Sequence, residues 1–98
     1  MLSTQTGLSQ NNQLFINKLN QLDLRAIAYE LMHASEEKWS FEQTKQALNH
    51  YSMFLCLINF YPDRKLVPTQ EIDRVWLYHI LDTMKYAEDC QLLFCRFI

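Results

Sequence analysis

His79 carries the most versatile side chain for chemistry in this sequence, because an imidazole titrates near neutral pH and is the commonest metal ligand in proteins. Asp73 and Cys90 supply the other groups that could complete such a site, a carboxylate and a thiol. One hypothesis is therefore a divalent metal bound by His79, Asp73 and Cys90, or a site in which His79 is a general base. A zinc site takes three or four protein ligands, so a hydrogen-bonded histidine on a packed helix face is the simpler interpretation.

Aromatic residues flank this histidine in the sequence. Asp73, Trp76, His79 and Tyr86 form a candidate cluster with a role in either ligand binding or structure. Buried tryptophan and tyrosine need hydrogen-bond partners, and a buried carboxylate without a partner is costly. Asp73 either complements the N-terminus of its helix or is a semi-buried acceptor for Tyr86, Arg96 or His79. A small-ligand pocket lined by Trp76, His79 and Tyr86 is the alternative, since helix bundles host such sites between their helices.

The other reactive side chains fit no catalytic pattern. Glu88 and Asp89 are adjacent, so they diverge around a helix and are predicted to be solvated. Cys90 lies on an apolar stripe and should behave as a small buried hydrophobic residue. The sequence contains no glycine-rich phosphate loop and no Ser-His-Asp arrangement. We therefore expect a protein that is not an enzyme, with a divalent metal as the one alternative cofactor.

The composition predicts an all-α fold. The chain has 98 residues, of which 49 % are hydrophobic, with one glycine and two prolines. Turns require glycine, proline and asparagine. The small number of glycines and prolines therefore favours a few long helices. The length fits one domain, which we place at residues 9–98 after a mobile leader of residues 1–8.

Helix start signals divide the first two thirds of the chain. A polar helix is predicted over residues 9–21, and Asp23 is a plausible N-cap for the next. Ser40 and Gln43 form a capping box that begins a helix ending before Pro62. Its inward stripe consists of Phe41, Leu48, Tyr51 and Leu55. Its second half is apolar nearly all round, which predicts that other helices surround it.

Two further helices are predicted after the loop at residues 62–68. Thr69 is a good N-cap, and we place a break at residues 81–83. The inward stripes are Ile72, Val75, Trp76, His79 and Ile80, followed by Tyr86, Ala87, Cys90, Leu93, Phe94 and Phe97. The predicted architecture is a compact bundle of about five helices.

Several short segments carry a family resemblance. They are Tyr51-Ser-Met-Phe-Leu, Tyr61-Pro-Asp, Leu66-Val-Pro-Thr, Ile72-Asp-Arg-Val-Trp, His79-Ile-Leu-Asp-Thr, Tyr86-Ala-Glu-Asp-Cys and Leu93-Phe. Their order over residues 23–98 resembles the glycine-rich domain-containing protein-like family, and the chain looks like a short bacterial member. The resemblance implies a domain of unknown function. Members typically carry Trp-His-x-His where this chain has Trp76-Leu77-Tyr78-His79, so any site built on those histidines would be reduced here.

Charge and surplus apolar residues bound the choice of partner. Nine basic and eleven acidic residues are scattered without runs, which argues against nucleic-acid binding. No apolar run reaches the roughly 18 residues of a membrane span. Three cysteines without zinc spacing, and a polar N-terminus, favour a cytoplasmic protein with reduced thiols. Apolar residues off the stripes predict an exposed face for a protein partner or homo-oligomer: Phe54, Leu57, Phe60, Leu77, Leu92 and Ile98.

Overall fold

A computed structural model describes residues 10–34, 36 and 38–94, and every regular element in that part of the chain is helical. The predicted all-α fold is therefore confirmed. The elements are α1 (Gln10–Leu19), α2 (Arg25–Tyr29), a π-helix (Glu30–Ala34), α3 (Phe41–Phe60), α4 (Gln70–Leu81) and α5 (Thr83–Phe94). The predicted leader at residues 1–8 lies outside the described residues.

Two helices begin at the predicted caps. The Ser40 hydroxyl accepts from the backbone N–H of Gln43 at 3.1 Å, and the Thr69 hydroxyl accepts from that of Ile72 at 3.2 Å. Each bond satisfies a backbone donor that the first helical turn leaves without a partner. Proline restricts the residue before it, and α3 accordingly ends at Phe60, two residues before Pro62.

Asp82 alone separates α4 from α5, which confirms the predicted break at residues 81–83. Its backbone leaves the helical region, with φ −87° and ψ 74°. The Asp82 carbonyl accepts from the backbone N–H of Tyr86 at 2.8 Å, so α5 starts at once. This one-residue turn brings the last turn of α4 close to the first turn of α5.

The second helical segment departs from prediction, whereas α1 lies within the helix predicted over residues 9–21. The helix of residues 25–34 begins after Leu24 without a side-chain cap. The carboxylate of Asp23, which we predicted as that cap, accepts from the backbone N–H of Arg25 and pairs with its guanidinium at 2.8 Å. This bond lowers the pKa of Asp23 below its usual range. The helix also widens into a π-helix, which hydrophobic periodicity does not predict.

Side chains from every helix meet in one apolar core. The buried members are Phe15, Ile27, Leu31, Ala47, Tyr51, Leu55, Val75 and Leu93. Trp39 packs against this cluster, and its backbone N–H donates to the Leu31 carbonyl at 2.9 Å. The core therefore holds α3 and α4 against the other helices.

One side of α3 is left uncovered, contrary to prediction. Met53 and Leu57 are exposed, although other helices were expected to surround this apolar half. The exposure of Leu57 does match its prediction as a surplus surface residue. Phe41 and Ile80 are exposed as well, although we placed both on inward stripes. Conversely Phe54, predicted as a surplus surface residue, is buried with its ring 5.4 Å from that of Trp76. Helical periodicity gives the phase of a stripe but not the width that neighbouring helices cover.

Candidate functional site

A chain of hydrogen bonds joins three helices through His79. The imidazole on α4 is 1 % exposed. Its Nδ1 lies 2.7 Å from the phenol oxygen of Tyr51 on α3, and its Nε2 lies 2.8 Å from Oδ2 of Asp89 on α5. Both ring nitrogens are therefore engaged, each by a different helix. We call Tyr51, His79 and Asp89 the polar relay.

The partners determine which nitrogen of neutral His79 carries the proton. An ionised carboxylate only accepts hydrogen bonds, so Nε2 must be the donor to Asp89. Nδ1 then has a lone pair, and the Tyr51 hydroxyl donates to it. In the part of the chain that the structure describes, Tyr51 oxygen has no other hydrogen-bond partner. The relay thus has one direction, from Tyr51 through His79 to Asp89.

Lys85 places a positive charge at the end of the relay. Its Nζ lies 3.0 Å from Asp89 Oδ2, the same oxygen that accepts from His79. The pair is spaced i, i+4 along α5, a favourable geometry for opposite charges. The positive charge of Lys85 therefore balances the negative charge of Asp89 while Asp89 accepts a hydrogen bond from the imidazole.

Burial governs the protonation of the relay. It lowers the pKa of His79 below its ordinary value, and the Lys85 charge adds to this, although the hydrogen bond from His79 to Asp89 opposes it. Burial raises the pKa of Tyr51 far above its ordinary value. Both side chains are thus neutral near pH 7, as hydrogen-bonded groups removed from water are expected to be.

A second buried pair packs against the relay. Trp76 Nε1–H donates to the Tyr86 oxygen at 3.0 Å, and the ring of Tyr86 stands perpendicular to that of His79 at 4.9 Å. Burial, together with a hydrogen bond to Cys90, raises the pKa of Tyr86 to about 12. The structure thus brings together Trp76, His79 and Tyr86 from the predicted cluster, with Cys90 beside Tyr86.

Asp73 does not join them. It is exposed in the first turn of α4, where a carboxylate complements the helix dipole. Its exposure fits the first of the two predicted roles and not that of a semi-buried acceptor. The acceptor that His79 uses is Asp89, and Arg96 lies outside the described residues. Asp73 instead lines a surface pocket together with Trp76, Leu77 and Ile80.

The predicted metal set of His79, Asp73 and Cys90 is not assembled as a group. Over residues 10–34, 36 and 38–94, no three histidine, cysteine or carboxylate side chains are arranged to hold a metal ion. Both nitrogens of His79 bond to protein atoms, so neither is directed at a vacant position. A resident metal finds no support in this donor arrangement.

Sequence reasoning missed two relay members. Asp89 was predicted to be solvated because Glu88 precedes it, yet Asp89 is buried and Glu88 is exposed. A signal was present: Tyr86, Asp89, Cys90 and Leu93 are spaced i, i+3, i+4, i+7, which puts Asp89 on the inward face. Tyr51 was predicted to be inward, but its hydroxyl partner lies 28 residues away. Neither periodicity nor a local motif reports such a pairing.

The order tyrosine, histidine, aspartate matches that of a nucleophile, its base and an orienting carboxylate. Tyr51, in the position of the nucleophile, is 0 % exposed. A substrate atom must come within hydrogen-bonding distance of such a group, and here the surrounding helices occupy that space. What the relay can do is fix the relative positions of α3, α4 and α5.

The comparison with protein families agrees with the resemblance in the sequence. The family model described as glycine-rich domain-containing protein-like matches residues 7–89. That match covers all three relay residues and begins earlier than the segments that carry the resemblance. Comparisons with curated proteins and with solved structures gave no significant match. The chain belongs to the glycine-rich domain-containing protein-like family.

Proposed function

We propose that this protein is a non-enzymatic helical interaction domain that works in the cytoplasm. It binds a protein partner, or a second copy of itself, through an exposed apolar groove. The buried relay supports this proposal, because the side chains that could take part in catalysis or metal binding instead hold the helices together. The surface, rather than the interior, is then the part of the molecule that recognises other molecules.

The groove lies between α3 and the loop that leads into α4. It encloses about 370 Å³. Its lining is mostly apolar and consists of His50, Met53, Phe54, Leu57, Val67, Thr69 and Ile72. Among these, Met53 is 62 % exposed, Leu57 42 % and Val67 85 %. This group of large exposed side chains around one groove is the observation that carries the proposal, since contiguous apolar surface marks interaction sites.

The groove continues along the C-terminal end of α3. Leu57 also lines an adjacent pocket with Tyr61, Arg64 and Leu66. Met53 and Leu57 are spaced four residues apart on α3, and Tyr61 follows at its C-terminal cap, so the three form a ridge at this end of the helix. A ridge of this spacing fits the apolar face of a partner helix, one of the recurring modes of protein recognition. The arginine at its end supplies the polar rim that interfaces require.

Photocrosslinking in the protein's native cells tests the proposal. A photoreactive amino acid is placed at Met53 in the groove, or at Met84, which lies 79 % exposed at the start of α5. The proposal predicts one discrete crosslinked product from position 53 and none from position 84. A product of twice the chain mass would identify a second copy as the partner.

The matched variant keeps the fold and removes the groove's apolar character. Leu57→Glu should abolish the crosslink from position 53, whereas Leu81→Glu, at an exposed leucine on α4, should leave it intact. Equal crosslinking from positions 53 and 84, or no discrete product from position 53, would count against the groove as the binding surface.

A further inference from the structure

The hydrogen-bond directions in the relay leave no place for a second proton on His79. Protonation adds an N–H at Nδ1, which then points at the Tyr51 oxygen 2.7 Å away. Tyr51 would have to accept and turn its own O–H elsewhere. Tyr51 is 0 % exposed, and its hydroxyl has no second partner among the residues described. Protonation therefore leaves a buried donor without an acceptor, which is costly.

Asp89 does not offer the usual compensation for an imidazolium. A carboxylate beside a histidine ordinarily favours the protonated ring. Here Lys85 Nζ and His79 Nε2 share Oδ2 of Asp89, at 3.0 Å and 2.8 Å. A charged imidazole would thus place two cations around one carboxylate in a site that water scarcely reaches. The geometry on both sides of the ring opposes the proton.

We propose that His79 makes the joint between α3 and α4 sensitive to acid, so that protonation of its Nδ1 disrupts the bond with Tyr51 and loosens α4 from α3. Above the pH range in which His79 takes up a proton, the relay is intact and holds the three helices together. Acidification removes this polar contact between the two helices. The device is independent of the proposed interaction groove, whose lining includes none of the three relay residues.

All helices around His79 contribute to its electrostatic surroundings. Tyr51 faces it from α3, and Asp82 follows the last residue of α4, the helix that carries His79. Lys85, Tyr86 and Asp89 face it from α5, and Cys90 lies beside Tyr86. The α2 helix and the π-helix also contact α4, and their charged or titratable residues Arg25, Glu30 and His33 are exposed. Lys85 is the cation that bonds to the carboxylate of the relay, so its removal is the most direct perturbation.

The sign of the expected effect follows from the lowered pKa of His79. An unfolded histidine titrates near pH 6.5, and the folded protein takes up its proton only at lower pH. The unfolded state then binds more protons in the interval, so stability falls as pH drops below about 6.5. The unfolding equilibrium constant should rise by up to about tenfold per pH unit across that interval.

The test is urea unfolding of the full chain between pH 8 and pH 5. The wild type should lose stability below about pH 6.5, and His79→Gln, which cannot titrate, should lose much less. Lys85→Gln should also weaken the pH dependence, because Asp89 is then free to stabilise the imidazolium. Lys45→Gln, which removes the charge of an exposed lysine on α3, should behave as the wild type.

Imidazole nitrogen NMR supplies a readout that does not depend on variants that fold. At pH 8 the His79 signals should show a proton on Nε2 and a bare Nδ1, and the exposed His33 and His50 provide comparison signals. Wild-type pH dependence retained in His79→Gln would overturn the proposal. So would identical behaviour of Lys85→Gln and Lys45→Gln, or a proton on Nδ1 at pH 8.

Discussion

The phenol oxygen of Tyr51 and the imidazole Nδ1 of His79 lie 2.7 Å apart, although 28 residues separate them in the chain. This bond joins α3 to α4 beside a core of mostly apolar side chains. A buried polar group is tolerated when it is fully hydrogen-bonded. Tyr51 and His79 satisfy one another only when the two helices are correctly aligned. The bond therefore specifies the register of α3 against α4.

Removing the Tyr51 hydroxyl should destabilise the fold. Tyr51→Phe keeps the ring but leaves Nδ1 of His79 without a donor, which should lower the free energy of unfolding by about 1–3 kcal/mol. Chemical denaturation at pH 7.5 measures the change. Tyr61→Phe, at an exposed tyrosine, is the matched control and should change stability by less than about 0.5 kcal/mol. Equal effects of the two substitutions would contradict the pairing.

Asp89 and Glu88 should differ sharply despite being adjacent. Asp89→Ala removes the acceptor of both His79 and Lys85, and should cost about 1.5–3 kcal/mol. Glu88 is exposed, so Glu88→Ala should lie within about 0.5 kcal/mol of the wild type. Thermal unfolding followed by circular dichroism suffices to rank them. If Glu88→Ala were the more damaging, the assignment of the inward face of α5 would be wrong.

Phe54 and Met53 are neighbours on α3, but Phe54 is buried in the core and Met53 is exposed on the surface. Phe54→Ala deletes a buried ring that packs on Trp76, and should lower the free energy of unfolding by about 3–5 kcal/mol. Met53→Ala should cost about 1 kcal/mol or less, because most of that side chain is in water. Urea titration of both variants makes the comparison. A large loss in Met53→Ala would mean that the groove is packed rather than open.

The cap of α3 can be tested by removal and rescue. Ser40→Ala loses the acceptor for the Gln43 N–H and should cost about 1 kcal/mol. Ser40→Asp keeps an acceptor at the same place and should retain most of the stability. Denaturation midpoints measured side by side decide the matter, and an Asp variant as unstable as the Ala variant would show that this hydrogen bond contributes nothing.

Local signals in the sequence accounted for the parts of the fold that depend on neighbouring residues. Ser40 and Thr69 begin helices because their hydroxyls bond to amides three residues on, a relation that four consecutive letters contain. Pro62 and the break at Asp82 are equally local. The family resemblance likewise rested on ordered short segments, and the match over residues 7–89 confirmed it.

Local sequence signals could not predict contacts between residues that are far apart in the chain. The sequence marked His79 and Tyr86 but supplied the wrong carboxylate, Asp73, because Asp73 is nearer to His79 in the chain. The true acceptor, Asp89, comes close only when α5 folds back after the turn at Asp82. Which apolar residues of a long helix remain exposed depends in the same way on where its neighbours stop.

The central claim is that Tyr51 and Asp89 act on one another through His79, and a double-mutant cycle measures this directly. Tyr51→Phe, Asp89→Ala and the combined variant are unfolded in urea at pH 7.5. Although the two side chains are joined only through the imidazole, we expect an interaction free energy of at least about 0.5 kcal/mol. The pair Tyr51→Phe and Ser40→Ala serves as the additive control. Additivity of Tyr51→Phe and Asp89→Ala within about 0.3 kcal/mol would contradict the relay.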